Sequence, residues 1–438
     1  MHLFRFIHAA DLHLDTPFTG MTGVPDRLRR YLQDSTFAAL GGLVDLAVSE
    51  QVDFIVISGD VYDASDSSLR AQLRLKEAWE KLERHGIPLY VIHGNHDPLG
   101  TRLRLTLPPN VTTFGPSLES VTAVRRQDGV PVAVVSGISY ASSSVTENLS
   151  RQFKRSTDST LYHIALLHGN VEGQEGHDVY APCSLADLRE SGYDYWALGH
   201  IHKRQVLSES PLVVYPGNLQ GRSLKETGAK GCYLVKVDEN GSAELEFREL
   251  DQVRWYEVDI PIDGLDTEED WKQRTEEQLE AIRRDMNGKA AIVRCQFTGS
   301  GPLHSMISSG REARDLLTEL QRQEETRIGT GTSGLFPQGI VWPAGFKLRT
   351  RAALDREQLL QEDSFLGEWF RMVARAEQEP QLLDDLLEAA LAPMAGDRLL
   401  RSLLKSKTAE ARQEWLLQAR EMAASLLGEE GPAGGSGR

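Results

Sequence analysis

With 438 residues, 40% of them hydrophobic, the chain has material for more than one core, so a multidomain globular protein is expected. The net charge of −16 serves solubility and counts against nonspecific nucleic-acid binding, although local basic patches weigh more than the total. No apolar stretch approaches the roughly 20 residues of a membrane span, the apolar start holds Arg5 and no small-residue cleavage site, and Cys183, Cys232 and Cys295 form neither a disulfide framework nor CxxC. These features exclude a membrane-spanning or disulfide-stapled class and lead to the expectation of a cytoplasmic protein with buried thiols.

Short β-branched runs recur up to about Leu250, at Leu3-Ile7, Phe54-Ile57, Leu89-Ile92, Val132-Val135, His163-Leu167, Tyr195-Leu198, Leu212-Tyr215 and Cys232-Val237. Helices are expected between the early ones. Phe37, Leu40, Leu43, Val44 and Ala47 share one helical face, and Leu69, Leu73, Ala78 and Leu82 suggest another that ends at Gly86 and Pro88. The pattern predicts a layered α/β domain over 1–250. Over 255–328 a strand at Tyr256-Ile260, an acidic helix from Glu268 to about Asp285, a strand at Ala291-Phe297 and a helix around Ala313-Glu325 predict a second, small α/β domain. A Gly-, Pro- and Thr-rich linker is expected within 329–354, a helical region over 355–427 with leucines at near-helical spacing, and a disordered tail over 428–438. Gly329-Thr330-Gly331-Thr332-Ser333-Gly334 fits GxGxxG as a string, but Phe336-Pro337-Gln338-Gly339 follows where a dinucleotide site needs a helix, so it reads as a loop.

Against these strands the polar residues fall in register. Asp11 and His13 follow the first, Asp60 the second, Asn95 and His96 the third, His168 the fifth, and His200 and His202 the sixth. In open α/β sheets ligands bind at the carboxyl edge, where side chains from several strands converge. Two divalent ions about 3.5 to 4 Å apart need oxygen and imidazole donors with a carboxylate between them. Asp60 is the bridging candidate, with Asp11, His13 and His202 completing one site and Asn95, His168 and His200 the other. A donor set of this mixture, without cysteine, favours two manganese or iron ions over a closed zinc site, and four imidazoles suit magnesium poorly. Such a pair turns water into a hydroxide nucleophile that attacks phosphorus. His96, with no metal assigned to it, is the candidate to protonate the leaving group, with Asp97 holding it charged; alternatively His96 supports Asn95. Asp63 is divided equally between orienting a ligand and stabilising a turn. A lone histidine is more often structural, and His2, His8, His85, His93, His163, His177 and His304 are read that way. The others stand in an ordered series of motifs on successive strand ends, where chance placement is remote.

Taken together, Asp11-Leu12-His13, Gly59-Asp60-Val61-Tyr62-Asp63, Gly94-Asn95-His96-Asp97, His168-Gly169 and Gly199-His200-Ile201-His202 resemble the calcineurin-like metallophosphoesterase signature. Ile7-His8-Ala9-Ala10-Asp11-Leu12-His13-Leu14-Asp15 and Tyr215-Pro216-Gly217-Asn218 resemble the DNA-repair exonuclease branch, the SbcD nuclease type and especially its YhaO relatives. The resemblance implies a four-layer α/β/β/α core, manganese dependence and nuclease activity on DNA ends. It also implies a small capping domain, a homodimer and a C-terminal helical region that docks a coiled-coil, SbcC-like ATPase. Asn218, where the SbcD type more often has serine, and Gln220-Gly221-Arg222 lie nearer the YhaO subgroup.

DNA as substrate requires basic groups near the metals. Arg102 and Arg104 follow Asp97, Lys203 and Arg204 follow His202, and Arg222 and Lys225 follow Asn218. Each alone is an ordinary solvated charge; their recurrence beside the motifs makes them candidates for substrate phosphates. Three functions are thereby weighed: a DNA nuclease subunit, a phosphatase of small molecules or phosphoproteins, and a non-catalytic scaffold of an ATPase complex.

Overall fold

The computed structural model describes residues 2–18, 21, 23–63, 68–100, 106–156, 160–172, 180–330, 338–352, 356–392, 415–420, 422 and 423. In chain order the elements are β1 (Phe4–Ala9), α1 (Asp26–Ser49), β2 (Phe54–Ser58), α2 (Leu69–Arg84), β3 (Leu89–Ile92), β4 (Val111–Thr113), β5 (Glu119–Val124), β6 (Pro131–Gly137), β7 (Tyr162–His168), α3 (Leu185–Glu190), β8 (Tyr195–Gly199), β9 (Gln205–Glu209), β10 (Leu212–Tyr215), β11 (Gly231–Val237) and β12 (Ala243–Glu249). They continue as β13 (Val253–Pro261), α4 (Glu268–Asp285), β14 (Ala290–Gly301), α5 (His304–Ile307), α6 (Arg311–Thr330), β15 (Val341–Ala352), α7 (Arg356–Gln361), α8 (Phe365–Ala376) and α9 (Pro380–Leu391).

Two six-stranded sheets form the first part of the chain, ordered β12-β11-β1-β2-β3-β4 and β5-β6-β7-β8-β10-β9. The central pairs β1–β2, β2–β3, β6–β7 and β7–β8 are parallel, so their carboxyl ends lie along one edge of each sheet. Between the sheets lies an aromatic core. Phe6 and Phe54 stack with ring centroids 5.2 Å apart, and Tyr195 meets Phe6 edge-on at 5.3 Å. Burying each such side chain contributes about 1.5–3 kcal/mol. The outer face of the first sheet packs under α1 through Leu40, Leu43, Val44 and Ala47 and under α2 through Leu75, Trp79 and Leu82. The outer face of the second carries Tyr140, Phe153, Leu188, Tyr193 and Trp196. The order of layers is α/β/β/α, as expected.

Eight strand runs of the first 250 residues lie where the β-branched pattern puts them. Four others, β4, β5, β9 and β12, fall outside the expected runs: each stands at a sheet edge, and the Val and Thr residues of β4 and β5 are half-exposed or exposed rather than buried. The second helical face is also displaced from expectation. Leu69 and Leu73 are exposed, while Ala71, Leu75, Trp79 and Leu82, spaced by four, four and three, make the buried stripe.

The chain divides into two compact units, one comprising residues 1–257, 279–294 and 320–345, the other 258–278, 295–319 and 346–438. A third sheet has the order β13-β14-β15. Its last strand, Val341–Ala352, takes up nearly half of the expected linker: Val341 and Trp342 are buried, and the run Phe346-Lys347-Leu348-Arg349-Thr350-Arg351 alternates with the period of a strand. Within the second unit Trp271, Phe297 and Phe346 pack together, with Trp271 and Phe297 centroids 5.2 Å apart. In the C-terminal helices Val373, Ala376 and Leu383 share a small core with Leu416. The GxGxxG string, the leucines of 399–404 and the expected disordered tail lie wholly or mostly outside the described residues. Among the described residues no helix is long and apolar enough to cross a membrane.

Candidate metal centre

The strand ends of both sheets meet at one cluster of buried polar side chains. Past β1 and β2 the two loops remain zipped by backbone bonds, Asp11 N to Gly59 O at 3.1 Å and His13 N to Asp60 O at 3.0 Å. Asp11, His13, Asp60 and His200 all take positive φ, at 51°, 42°, 53° and 97°. Non-glycine residues rarely do so, and strained backbone gathers where a surrounding structure holds side chains for a task. Two motif glycines are dictated by close approach. A Cβ on Gly94 would stand 2.3 Å from Asp60 Oδ1, and one on Gly199 only 1.9 Å from the carbonyl oxygen of Ser58.

Donor atoms converge in groups. Asp11, His13 and His202 place one ligand atom each within 4.8 Å of one another, and so do Asp11, Asp60 and His168. Asp60 Oδ2 lies 3.3 Å from His168 Nε2 and 3.7 Å from His13 Nε2, between the two groups. Asn95 Oδ1 is 3.0 Å from His168 Nε2, and the His200 ring centroid is 5.3 Å from that of His168. The structure thus brings Asp11, His13, Asp60, Asn95, His168, His200 and His202 to one place. Asp11 lies within reach of both groups, where sequence reasoning gave it to one.

Whether cations fit is decided by the imidazole nitrogens. His13 Nδ1 is 3.0 Å from Asp63 Oδ1 and His202 Nδ1 is 2.7 Å from Glu226 Oε1, so each Nδ1 carries the proton and donates it to a carboxylate. Their Nε2 atoms, left with lone pairs, face each other at 3.1 Å. His168 repeats the pattern: its Nδ1 donates to the Ser58 carbonyl at 2.9 Å, turning Nε2 toward the oxygens of Asn95 and Asp60. Acceptors crowded against acceptors in a buried site call for positive charge among them. Oxygen and imidazole donors without cysteine suit divalent ions of the manganese and iron kind.

The electrostatics reflect the same crowding. Burial pushes the Asp11 carboxyl up to about 6, against the pull of His202 and His168. Burial works against ionisation of Asp60 too, but the imidazoles of His168 and His13 hold it well below the usual carboxylate range. Burial pushes His13 down to about 4. At His168 burial opposes the charge, yet Asp60 carries the imidazole up to about 9, so that without cations a proton on Nε2 supplies the positive charge these oxygens call for.

His96 is half-exposed at the rim, its Nδ1 2.7 Å from Asp63 Oδ1 and its backbone N–H donating to Asp60 Oδ1 at 3.0 Å. The hydrogen bond to Asp63 raises its pKa. Asp97 does not hold His96. Its buried carboxylate accepts from the N–H groups of Gly94 at 2.8 Å, Asp60 at 3.2 Å and Val61 at 2.9 Å, and pairs with His93 Nδ1 at 3.2 Å. It staples the β2 and β3 loops together, while Asp63 is the carboxylate that orients both His13 and His96. Glu226 carried no expectation at all. Its loop folds back with Glu226 N donating to Ser223 O at 3.0 Å, a turn that no motif announces.

The basic candidates separate. Arg102 and Arg104 lie outside the described residues. Lys203 and Lys225 are exposed, and the Arg204 guanidinium lies over the Phe247 ring at 3.9 Å. Arg222 is largely buried, with Nη1 3.8 Å from Asp63 and Nη2 3.4 Å from Glu226.

Parallel strands from two packed sheets, delivering carboxylates and imidazoles to one edge, define a phosphoesterase of the two-metal class, and the chain belongs to the calcineurin-like metallophosphoesterase family. Residues 4–204 match the family model for calcineurin-like phosphoesterases, and residues 255–351 match the middle domain of metallophosphoesterase YhaO. The chain is 38% identical over 385 residues to the uncharacterized metallophosphoesterase YhaO of Bacillus subtilis, covering 87% of this chain and 89% of that protein. It is 26% identical over 284 residues to the DNA double-strand break repair protein Mre11 of Thermoplasma acidophilum, covering 60% of this chain and 71% of that protein. It is 27% identical over 280 residues to the SbcD component of the nuclease SbcCD of Staphylococcus epidermidis, covering 58% of this chain and 71% of that protein.

Proposed function

We propose that this protein is a phosphodiester hydrolase acting on DNA, a nuclease of the repair type that works with two divalent ions, manganese by preference. The observation that carries the reading is the position of Asp60 between His13 and His168, with Asp11 in reach of both groups. In the proposed assignment Asp60 bridges, Asp11, His13 and His202 hold one ion, and Asn95, His168 and His200 hold the other. Bound there, the ions would acidify a water and offset charge on the phosphoryl oxygens. The chain's own residues do the rest. Asp63 fixes the His96 imidazole through Nδ1, leaving Nε2 at the half-exposed rim to give a proton to the leaving oxygen. Support for DNA comes from the relatives named for double-strand break repair and as a nuclease component. The C-terminal helices are proposed to dock an SbcC-like ATPase, 255–328 to act as a cap and the cytoplasm to be its location.

A second reading, a phosphatase of small molecules or phosphoproteins, is favoured by one observation. Arg222, the basic candidate beside the metal cluster, is engaged by Asp63 and Glu226 rather than turned to solvent. Hydrolysis of labelled single- and double-stranded DNA beside a generic phosphodiester, with and without manganese, separates the two. The nuclease reading expects metal-dependent DNA cleavage that His96→Ala removes while ion binding persists. Cleavage of the generic diester alone would overturn it.

A further inference from the structure

Five side chains close into a ring beside the metal centre. His202 Nδ1 meets Glu226 Oε1 at 2.7 Å, and that oxygen meets Arg222 Nη2 at 3.4 Å. Arg222 Nη1 lies 3.8 Å from Asp63 Oδ2, Asp63 Oδ1 is 3.0 Å from His13 Nδ1, and His13 Nε2 returns to His202 Nε2 at 3.1 Å. Each carboxylate is fastened again from outside the ring. Thr16 Oγ1 donates to Asp63 Oδ2 at 2.6 Å, and Glu226 Oε2 accepts from Asn218 Nδ2 at 3.0 Å and from the Arg222 N–H at 2.6 Å.

We propose that Arg222 is a positioning residue rather than a substrate ligand: it ties together the two carboxylates that orient His13 and His202, and so governs one ion site of the pair. This rests on the two-metal reading above. The Arg222 side chain is only 14% exposed, and its Nε is buried without a hydrogen-bond partner. Both of its Nη groups face carboxylates of the ring, so an incoming phosphate would have to displace them. A forked, planar cation spans two carboxylates where the point charge of a lysine would serve one. Without Arg222 two buried anions lose their common counter-charge, and the imidazoles they hold lose orientation. His168 is exempt, because the Ser58 carbonyl fixes its ring independently. The weakening therefore falls on the site of Asp11, His13 and His202 and spares that of Asn95, His168 and His200.

The test is manganese(II) titration of the whole chain, without substrate, with free ion read by electron paramagnetic resonance. Arg222→Gln and Glu226→Gln are each expected to weaken one of two sites about 10- to 100-fold, the usual effect of losing an orienting partner. The other site should stay within roughly twofold, and the double variant should be no weaker than Glu226→Gln because the two act as one unit. Arg222→Lys should recover part of the loss. Unchanged ion binding with a raised KM for a generic phosphodiester would make Arg222 a substrate ligand and overturn the proposal. Equal weakening of both sites, with a lower melting point in chelator, would make it a general structural residue and overturn it too. Should Arg222→Gln fail to fold, Glu226→Gln and Arg222→Lys carry the same comparison. A wild-type chain that binds no manganese would overturn the two-metal reading and this proposal together, whereas two wild-type sites untouched in the variants would sink this proposal alone.

Discussion

Individual carboxylates in this protein divide the labour among themselves by what they touch. Asp60 stands among imidazole nitrogens, Asp63 and Glu226 stand behind them, and Asp97 accepts backbone N–H groups. Asp60→Asn is therefore expected to lower metal-dependent hydrolysis well beyond the roughly 100-fold typical of an orienting residue, measured as initial rate at saturating manganese. Asp63→Asn should act on two properties at once. It should weaken ion binding about 10- to 100-fold, and it should lower the pKa of His96, whose raised value comes first from Asp63. A protonated donor is lost as pH rises through its pKa, so the alkaline fall of the rate moves to lower pH in Asp63→Asn. An unmoved alkaline limb in a pH–rate profile would remove His96 from the role of acid.

Where the strands lie explains why these side chains can meet. The parallel runs β1–β2–β3 and β7–β8 turn their carboxyl ends to one edge, and the loops beyond them cross at contact distance. Gly199→Ala would drive a Cβ into the Ser58 carbonyl and is expected to destabilise by about 1–3 kcal/mol or more, read from denaturant unfolding. His8 on β1 bonds Tyr195 and the Leu198 carbonyl on β8, joining the two sheets, and burial pushes it down to about 3. A histidine neutral in the fold but free to protonate when unfolded gives stability that is present above the unfolded value and lost as pH falls below it. Between pH 6.5 and pH 5 its share of that loss is about 2 kcal/mol. His8→Gln, which does not titrate, should flatten the stability profile over that interval; an equally steep decline in the variant would contradict this account.

For the whole molecule, cations bound to a cluster of mutually repelling donors should add to stability by mass action. Manganese at a hundred times its dissociation constant is expected to contribute about 2.7 kcal/mol, visible as a melting point that rises with the ion and falls again with chelator. Net charge acts at the same scale. At −16 the chain gains no general attraction for DNA, so any affinity must come from local contacts. Two phosphate contacts, from Lys203 and Lys225, would weaken duplex binding about tenfold on a fourfold rise in salt. A salt-independent affinity would favour the small-substrate reading.

What residue order alone determined was the set of candidate donors and the strand ends that carry them. Metal chemistry restricts the residue types, the β-branched runs mark buried strands, and short motifs keep each ligand local to its own strand, so Asp11 through His202 could be read one at a time. The partners could not. Asp63 lies 50 residues from His13, Glu226 lies 24 from His202, and both pairs form only when separate loops fold onto the same edge. Sequence reasoning gave His96 to its neighbour Asp97 because adjacency is all that a string displays; the backbone turns that neighbour inward to the β2 loop and brings Asp63 instead. The half-exposed strands escaped for a related reason. Edge strands such as β12, and β15 within the expected linker, are specified by a neighbouring strand's hydrogen bonds and one buried face, neither of which exists until the sheet does.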